Sequence, residues 1–179
     1  MLKGVTVRLR AVEPKDLELM YQWENDPSIW KVSGTVSPYS KYTLAEYIKT
    51  CEKDIYTNKQ LRFVIELLAH TALTIGLIDL FEFDPQHRKA GVGILIGDST
   101  QRRKNYAKEA LNLLVDYAFN QLNLHQLYCN VPESNNASLH HFNTAGFREA
   151  GILKDWIFSK NVWENVILLQ RINDEGSEE

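Results

Sequence analysis

The chain has 179 residues, 44% hydrophobic and 24% charged, with a formal net charge of −3. That length suits one domain with a sizeable core, and the net acidity argues against a nucleic-acid-binding module, so any anion site must be local. Two cysteines, Cys51 and Cys129, suggest reduced thiols in a cytoplasmic protein rather than a zinc site or a disulfide framework, and no apolar run is long enough for a membrane span or a secretory signal.

"VTVRLR" (5–10) alternates with period two and predicts a strand. Pro14 suits a helix start, and Leu17, Met20, Tyr21 and Trp23 give that helix an apolar face until "NDPSIW" (25–30) ends it. Ser, Gly and Pro predict a loop over 33–42. Thr43 and Glu46 have capping-box spacing and open a second helix that runs to about residue 57. Strands are predicted at 61–69, 73–83 and 90–97. A long helix spans 103–122, with Ala107, Ala110, Leu111, Leu114 and Ala118 on one stripe. A strand at 125–131, a short helix at 136–145 and a final hairpin of strands near 147–158 and 162–172 complete the order. Residues 173–179 read as a frayed acidic tail, leaving one domain over 1–172. This order predicts an α/β (α+β) layer protein with a mixed sheet covered by helices.

The long helix opens oddly. Arg102, Arg103 and Lys104 fall in its first turn, where the helix dipole favours acids. Two explanations are open: a solvated basic turn flanked by Asp98 and Glu109, or a site for a polyanion, since unpaired N–H groups at a helix start bind phosphate.

The segment Arg102-Arg103-Lys104-Asn105-Tyr106-Ala107 resembles the acetyl-CoA-binding motif of the GNAT N-acetyltransferases, Gln/Arg-x-x-Gly-x-Gly/Ala, with Asn105 in place of the central glycine. Asn is the residue that most readily adopts positive φ in place of Gly. Downstream, Asn135, Ser138, Phe142, Gly146 and Phe147 match the family segment Asn-x-x-Ala/Ser-x-x-x-Tyr/Phe-x-x-x-Gly-Phe. The opening "VRLRAVEPKDLELMYQWENDP" is similar to the branch of ribosomal-protein alanine and polyamine N-acetyltransferases. Segments 62–66, 76–96 and 153–172 look most like the spermidine/spermine acetyltransferases, so the resemblance covers residues 4 to 172.

The resemblance implies a GNAT fold, a strongly twisted mixed sheet of about seven strands flanked by about four helices. It implies acetyl transfer from acetyl-CoA to a primary amine by direct attack in a ternary complex, with a polyamine or diamine as acceptor. A protein N-terminal acetyltransferase of the alanine type and a catalytically weak CoA-binding module are the alternatives. The cofactor would lie along Leu95, Ile96, Arg102–Ala107, Asn135, Ser138 and Phe142. The oxyanion donors would be backbone N–H groups around Ile94, at a strand bulge within 91–96. Many relatives place a Tyr general acid where this chain has Phe142, so no acid is assigned there. Asp79 is the best candidate base: it shares a strand face with Ile75, Leu77, Phe81 and Phe83, a poor place for an unpaired carboxylate unless Arg or backbone donors satisfy it. Glu24, Trp30, Tyr39 and His87 are the acceptor-side candidates, and Gly91 stands where relatives carry a Glu. No metal, membrane or nucleic-acid partner is expected; a homodimer is, because relatives often form one.

Overall fold

The computed structural model describes residues 1–33, 35–69, 73–159 and 161–173. Among them lie eight strands: β1 (Leu2–Lys3), β2 (Val7–Ala11), β3 (Leu61–Leu67), β4 (Thr74–Asp84), β5 (Lys89–Ile96), β6 (Gln126–Pro132), β7 (Arg148–Ser159) and β8 (Val162–Ile172). The α-helices are α1 (Leu17–Glu24), α2 (Pro27–Ser33), α3 (Lys41–Thr50), α4 (Ile55–Asn58), α5 (Tyr106–Asn120) and α6 (Asn136–Thr144). The eighth strand, beyond the seven expected, is the two-residue β1, which pairs with Arg8 and Leu9.

The helical segments divide more finely than periodicity predicts. Pro27 starts α2, and the Asp26 carboxylate accepts the Ser28 N–H at 2.8 Å, so the chain turns and re-enters a helix instead of leaving it. Ser40, not Thr43, caps α3: its hydroxyl accepts the Thr43 N–H at 3.0 Å. That helix stops at Thr50, and Asp54 caps the separate α4. The acidic tail lies outside the described residues from 174 onward; Asn173 is held by its N–H to the His125 carbonyl at 2.8 Å.

The strands form one sheet, ordered β1-β2-β3-β4-β5-β6-β8-β7. Only β5 and β6 are parallel, as the α5 crossover between them requires. One face packs Val7, Leu9, Ile65, Ile78 and Leu80 against Leu111, Leu114 and Ala118 of α5. The other packs Val64 and Leu77 against Met20, Trp23, Ile29 and Ile48 of α1–α3. Helices on both faces of a mixed sheet bear out the predicted layer class. Beneath α1, Arg10 grips Asp16 through two hydrogen bonds of 2.7 Å and also reaches Glu66 at 3.2 Å. Burial works against the Asp16 charge, but the Arg10 fork outweighs it and holds that carboxyl below its usual range.

Two irregularities alter the predicted strand faces. Ile75 and Phe83 belong to the α5-side core with Ile78 and Leu80, not to the Leu77–Asp79–Phe81 face. The register slips between Ile65 and Glu66, opposite the start of β4, and again between Phe81 and Asp84, where Glu82 has φ 49°. One inserted residue sends the next side chains to the opposite face.

The feature that matters most for function is a divergence. β5 and β6 pair only at Lys89↔Gln126, Ala90↔Leu127 and Gly91↔Tyr128. From Val92 to Ile96, β5 stays paired with β4 alone. The sheet opens there like a V.

Candidate active site

A cavity of about 580 Å³ fills this opening. Its lining takes Asp79, Gly93, Leu95 and Asn130 from one face of the sheet and Val92, Ile94, Cys129 and Val131 from the other. The cavity therefore passes between the splayed strands and connects the α1–α3 side with the α5–α6 side. The β4–β5 register runs one for one from Gly76↔Ile96 to Phe81↔Gly91, so the bulge expected within 91–96 is absent. The splay, not a bulge, leaves the β6-facing edge of residues 92–96 without a strand partner.

On the α1–α3 side, Arg62 organises the wall. Its guanidinium lies 3.1 Å from Glu24 and 3.6 Å from Asp79, and over the Tyr47 ring at 5.1 Å. Gln60 donates to Asp79 at 2.9 Å. These side chains are nearly enclosed: Arg62 is 19% exposed, Glu24 15% and Asp79 13%. Burial works against the Arg62 charge, but Asp79, Tyr47 and Glu24 more than offset it and raise its pKa. Burial pushes the Tyr47 phenol up, so it stays protonated. The Asp79 carboxylate is thus satisfied by an arginine and an amide, and one oxygen still faces β5: a Cβ at Gly93 would lie 3.0 Å from Asp79 Oδ1. Gly91 answers a different need. A Cβ there would come within 2.3 Å of the Phe81 ring, which occupies the space a Glu at this position would take. Trp30 stands behind the wall and donates from its indole N–H to the Glu24 carbonyl at 2.8 Å.

On the α5–α6 side, the cavity meets Asn135, Ser138 and Phe142. Asn135 caps α6 by accepting the Ser138 N–H at 3.2 Å. Phe142 is 5% exposed and packs edge-on against Phe147. The neighbouring His140 and His141 do not line the cavity; burial lowers the pKa of His141.

The basic segment is not the first turn of a helix. α5 begins at Tyr106, and residues 102–104 lie in the loop before it. Asn105 has φ 63° and Arg103 φ 61°. The expectation that Asn105 replaces glycine at a positive φ is therefore met. The first bond within the helix is from the Glu109 N–H to the Asn105 carbonyl at 3.1 Å, so the N–H groups of Tyr106, Ala107 and Lys108 have no partner inside α5. Arg102 folds back and donates from Nε to the Ile96 carbonyl at 3.0 Å, tying the loop to the end of β5. Exposed cations beside free N–H groups, at the mouth of a cavity between splayed strands, suit a ligand with a polyphosphate end and a long narrow arm.

Of the residues singled out from sequence, Asp79, Ile94, Leu95, Asn135, Ser138, Phe142, Glu24 and Tyr39 share the cavity wall. Ile96 and Arg102–Ala107 do not line the cavity; Arg102 is tied to the Ile96 carbonyl, one residue beyond Leu95 in the wall. Trp30 supports Glu24 from behind. His87 belongs elsewhere: it is 63% exposed in the β4–β5 turn and paired with Asp84 at 2.7 Å, three residues away. Arg62, Gln60, Tyr47 and Asn130 escaped sequence reasoning. The available signal for Arg62 was an arginine inside an otherwise apolar strand, which requires an acidic partner.

A cavity that crosses a splayed sheet, with a charged wall on one side and a basic loop leading into a helix start beyond the end of β5, fits a coenzyme-A-dependent acyl transferase. The chain belongs to the acetyltransferase (GNAT) domain family, whose model matches residues 6–148, and it is an N-acetyltransferase that takes acetyl-CoA as donor. Spermidine N(1)-acetyltransferase of Escherichia coli K12 is 32% identical over 162 residues, covering 90% of this chain and 83% of that protein. The probable N-acetyltransferase YjcK of Bacillus subtilis is 30% identical, covering 99% of this chain and 100% of that protein. The crystal structure of spermidine N-acetyltransferase from Vibrio cholerae in complex with CoA and spermine superposes with a TM-score of 0.84. It is 29% identical and covers 93% of this chain and 95% of that one. Among the described residues no helix is long and apolar enough to cross a membrane.

Proposed function

We propose that residues 1–172 form one acetyltransferase unit whose acceptor is a polyamine or diamine. The observation that carries this reading is the Glu24–Arg62–Asp79 wall: two carboxylates against one guanidinium give the acceptor end a net negative charge that suits an alkylammonium. Similarity to spermidine N-acetyltransferases over most of the chain supports it. Acetyl-CoA supplies an activated acetyl group whose sulfur is an adequate leaving group without an acid. Arg103, Lys104 and the start of α5 would hold its phosphates, Asn135 and Ser138 its arm, and the free edge of β5 around Ile94 its carbonyl oxygen. Asp79 receives the proton that the amine must lose before attack. Cys129 lines the cavity, but burial pushes its thiol up, away from the thiolate that an acetyl-cysteine route would need. Direct attack by the amine is therefore the route we assign.

A protein N-terminus is the second acceptor considered, because Tyr39 and Tyr42 are 39% and 76% exposed near the acceptor side and could meet a peptide. Release of free thiol from acetyl-CoA, followed with spermidine, putrescine and Ala-terminated peptides, decides between them. Spermidine is expected to be turned over fastest. Faster turnover of the peptides would replace the polyamine reading, and no turnover with any amine would leave a CoA-binding module.

We also infer that the protein acts in the cytoplasm, where acetyl-CoA and reduced thiols such as Cys51 and Cys129 are found, and that it forms a homodimer. β7 is a sheet edge, and the β7–β8 hairpin exposes Trp156 (61%), Phe158 (56%) and Trp163 (57%). Such an edge with a cluster of large apolar side chains calls for a cover. A structural neighbour at TM-score 0.75, the Vibrio cholerae spermidine N-acetyltransferase, is dodecameric. Sedimentation equilibrium is expected to give a dimer mass for the native protein and a lighter species for a Trp156→Asp/Trp163→Asp variant.

A further inference from the structure

Between Asp79 and the far side of the opening lies a polar group that the mechanism above does not use. Asn130 lines the cavity from β6; it is exposed, and its side-chain amide makes no hydrogen bond to another described residue. Its place in the register is informative. The parallel ladder ends at Gly91↔Tyr128, so two residues further along each strand Gly93 and Asn130 would be partners if the strands had not parted. Gly93 is itself the partner of Asp79, and Asp79 that of Arg62. Partners across a sheet point to the same face. One row therefore runs Arg62, Asp79, Gly93, Asn130, with the bare glycine and the opening in its middle. Paired strands are spaced about 4.8 Å apart, so with β5 between them and the β5–β6 ladder already ended, the backbones of Asp79 and Asn130 stand more than about 10 Å apart. Both side chains rise from the same face and line the same cavity, leaving the space over Gly93 for a small polar group between them.

We propose that Asn130 is a substrate-orienting residue of the transfer step, its carboxamide oxygen accepting one N–H of the attacking amine while Asp79 faces the other. The chemistry distinguishes the two acceptors. A neutral primary amine carries two N–H bonds. One survives in the product amide and the other is lost as the C–N bond forms and the C–S bond breaks. Once the ammonium proton has passed from Asp79 to solvent, the carboxylate can take this second proton, and the departing thiolate picks one up from solvent to leave as the free thiol. The carboxamide is neutral and far too weak a base to take one, so it suits the N–H that remains. With both N–H bonds held within the row on the α1–α3 face, the nitrogen lone pair points into the opening, where the thioester arrives from the other face. The proposal rests on acetyl transfer to an amine and does not depend on that amine being a polyamine.

The test compares Asn130→Leu and Asn130→Asp with the native protein, using whichever amine of the panel is turned over fastest. Asn130→Leu is expected to lower kcat/KM for the amine by about tenfold, the loss of one well-placed hydrogen bond. Calorimetric titration of the same amine into the CoA-free protein should give a Kd raised several-fold. Thermal stabilisation by CoA should be unchanged, which separates the effect from misfolding or cofactor loss. Asn130→Asp keeps an acceptor oxygen and should recover at least half of the lost kcat/KM. Because Asn130 does not titrate, the pH profile of Asn130→Leu should keep the native shape. Equal kcat/KM and equal amine Kd in Asn130→Leu would overturn the proposal. So would an Asn130→Asp protein as impaired as Asn130→Leu, since the N–H₂ end of the side chain would then be the part that matters.

Discussion

Asp79→Asn is expected to slow acetyl transfer at neutral pH by about 100-fold, with the deficit shrinking as the pH rises toward about 10, where roughly a quarter to a third of an alkylamine of pKa about 10.4 is already neutral. The direction follows from what the substitution keeps and what it removes. Asn still accepts from Gln60, and Arg62 still has Glu24 at 3.1 Å, so the wall keeps its shape. The negative charge that, in the proposed route, draws the ammonium and receives its proton is gone. Below the amine pKa this loss acts on nearly every substrate molecule; above it, on few. Initial rates over pH 6 to 10, with the thermal midpoint as control, provide the measurement. A constant ratio between variant and native rates across that range would remove Asp79 from the proton route and assign it to solvent.

Arg103→Glu/Lys104→Glu is expected to weaken CoA binding by about 100-fold at low ionic strength, each reversal removing an attraction and adding a repulsion near the phosphates. The pair avoids Arg102, whose Nε contact with the Ile96 carbonyl also holds the loop in place. Both side chains are exposed, so the deficit should shrink markedly as salt is raised and the Debye length falls below about 10 Å. Pantetheine, which lacks the phosphates, provides the control: its affinity should be the same for variant and native protein. The readout is the shift of the thermal midpoint with ligand concentration. If CoA affinity were unaffected at every ionic strength, residues 102–104 would be no more than a solvated basic loop.

Both predictions concern residues that were visible before the fold was known, and the reason is that their signals are local. The stripe Ala110, Leu111, Leu114 and Ala118 follows helical period and is buried along α5. Asn105 stands where a glycine is usual, and its φ of 63° is a property of that residue type in a tight turn. Asp79 was conspicuous because a carboxylate amid apolar neighbours on a strand requires a purpose or a partner. Local reading also had an unused resource: His87 lies three residues from Asp84, close enough in sequence for their pairing to be anticipated.

Other features depend on chain segments that meet only after folding. Arg62 finds Glu24 across 38 residues, and no spacing rule links the two. The misplacement of Ile75 and Phe83 came from two register slips, each created by how β4 meets its neighbours. Cationic residues 102–104 were assigned to the wrong element, because the positive φ of Arg103 and Asn105 holds them in a loop ahead of α5. The order of elements, the family motifs and the chemistry of acetyl transfer were thus determined by the sequence alone, since residue type and period act over a few neighbours. Where β5 parts from β6, and hence which side chains face the reacting atoms, was decided only by tertiary structure. That divergence is a balance between a ladder that ends at Gly91↔Tyr128 and the packing of helices on both faces, and no short segment contains it.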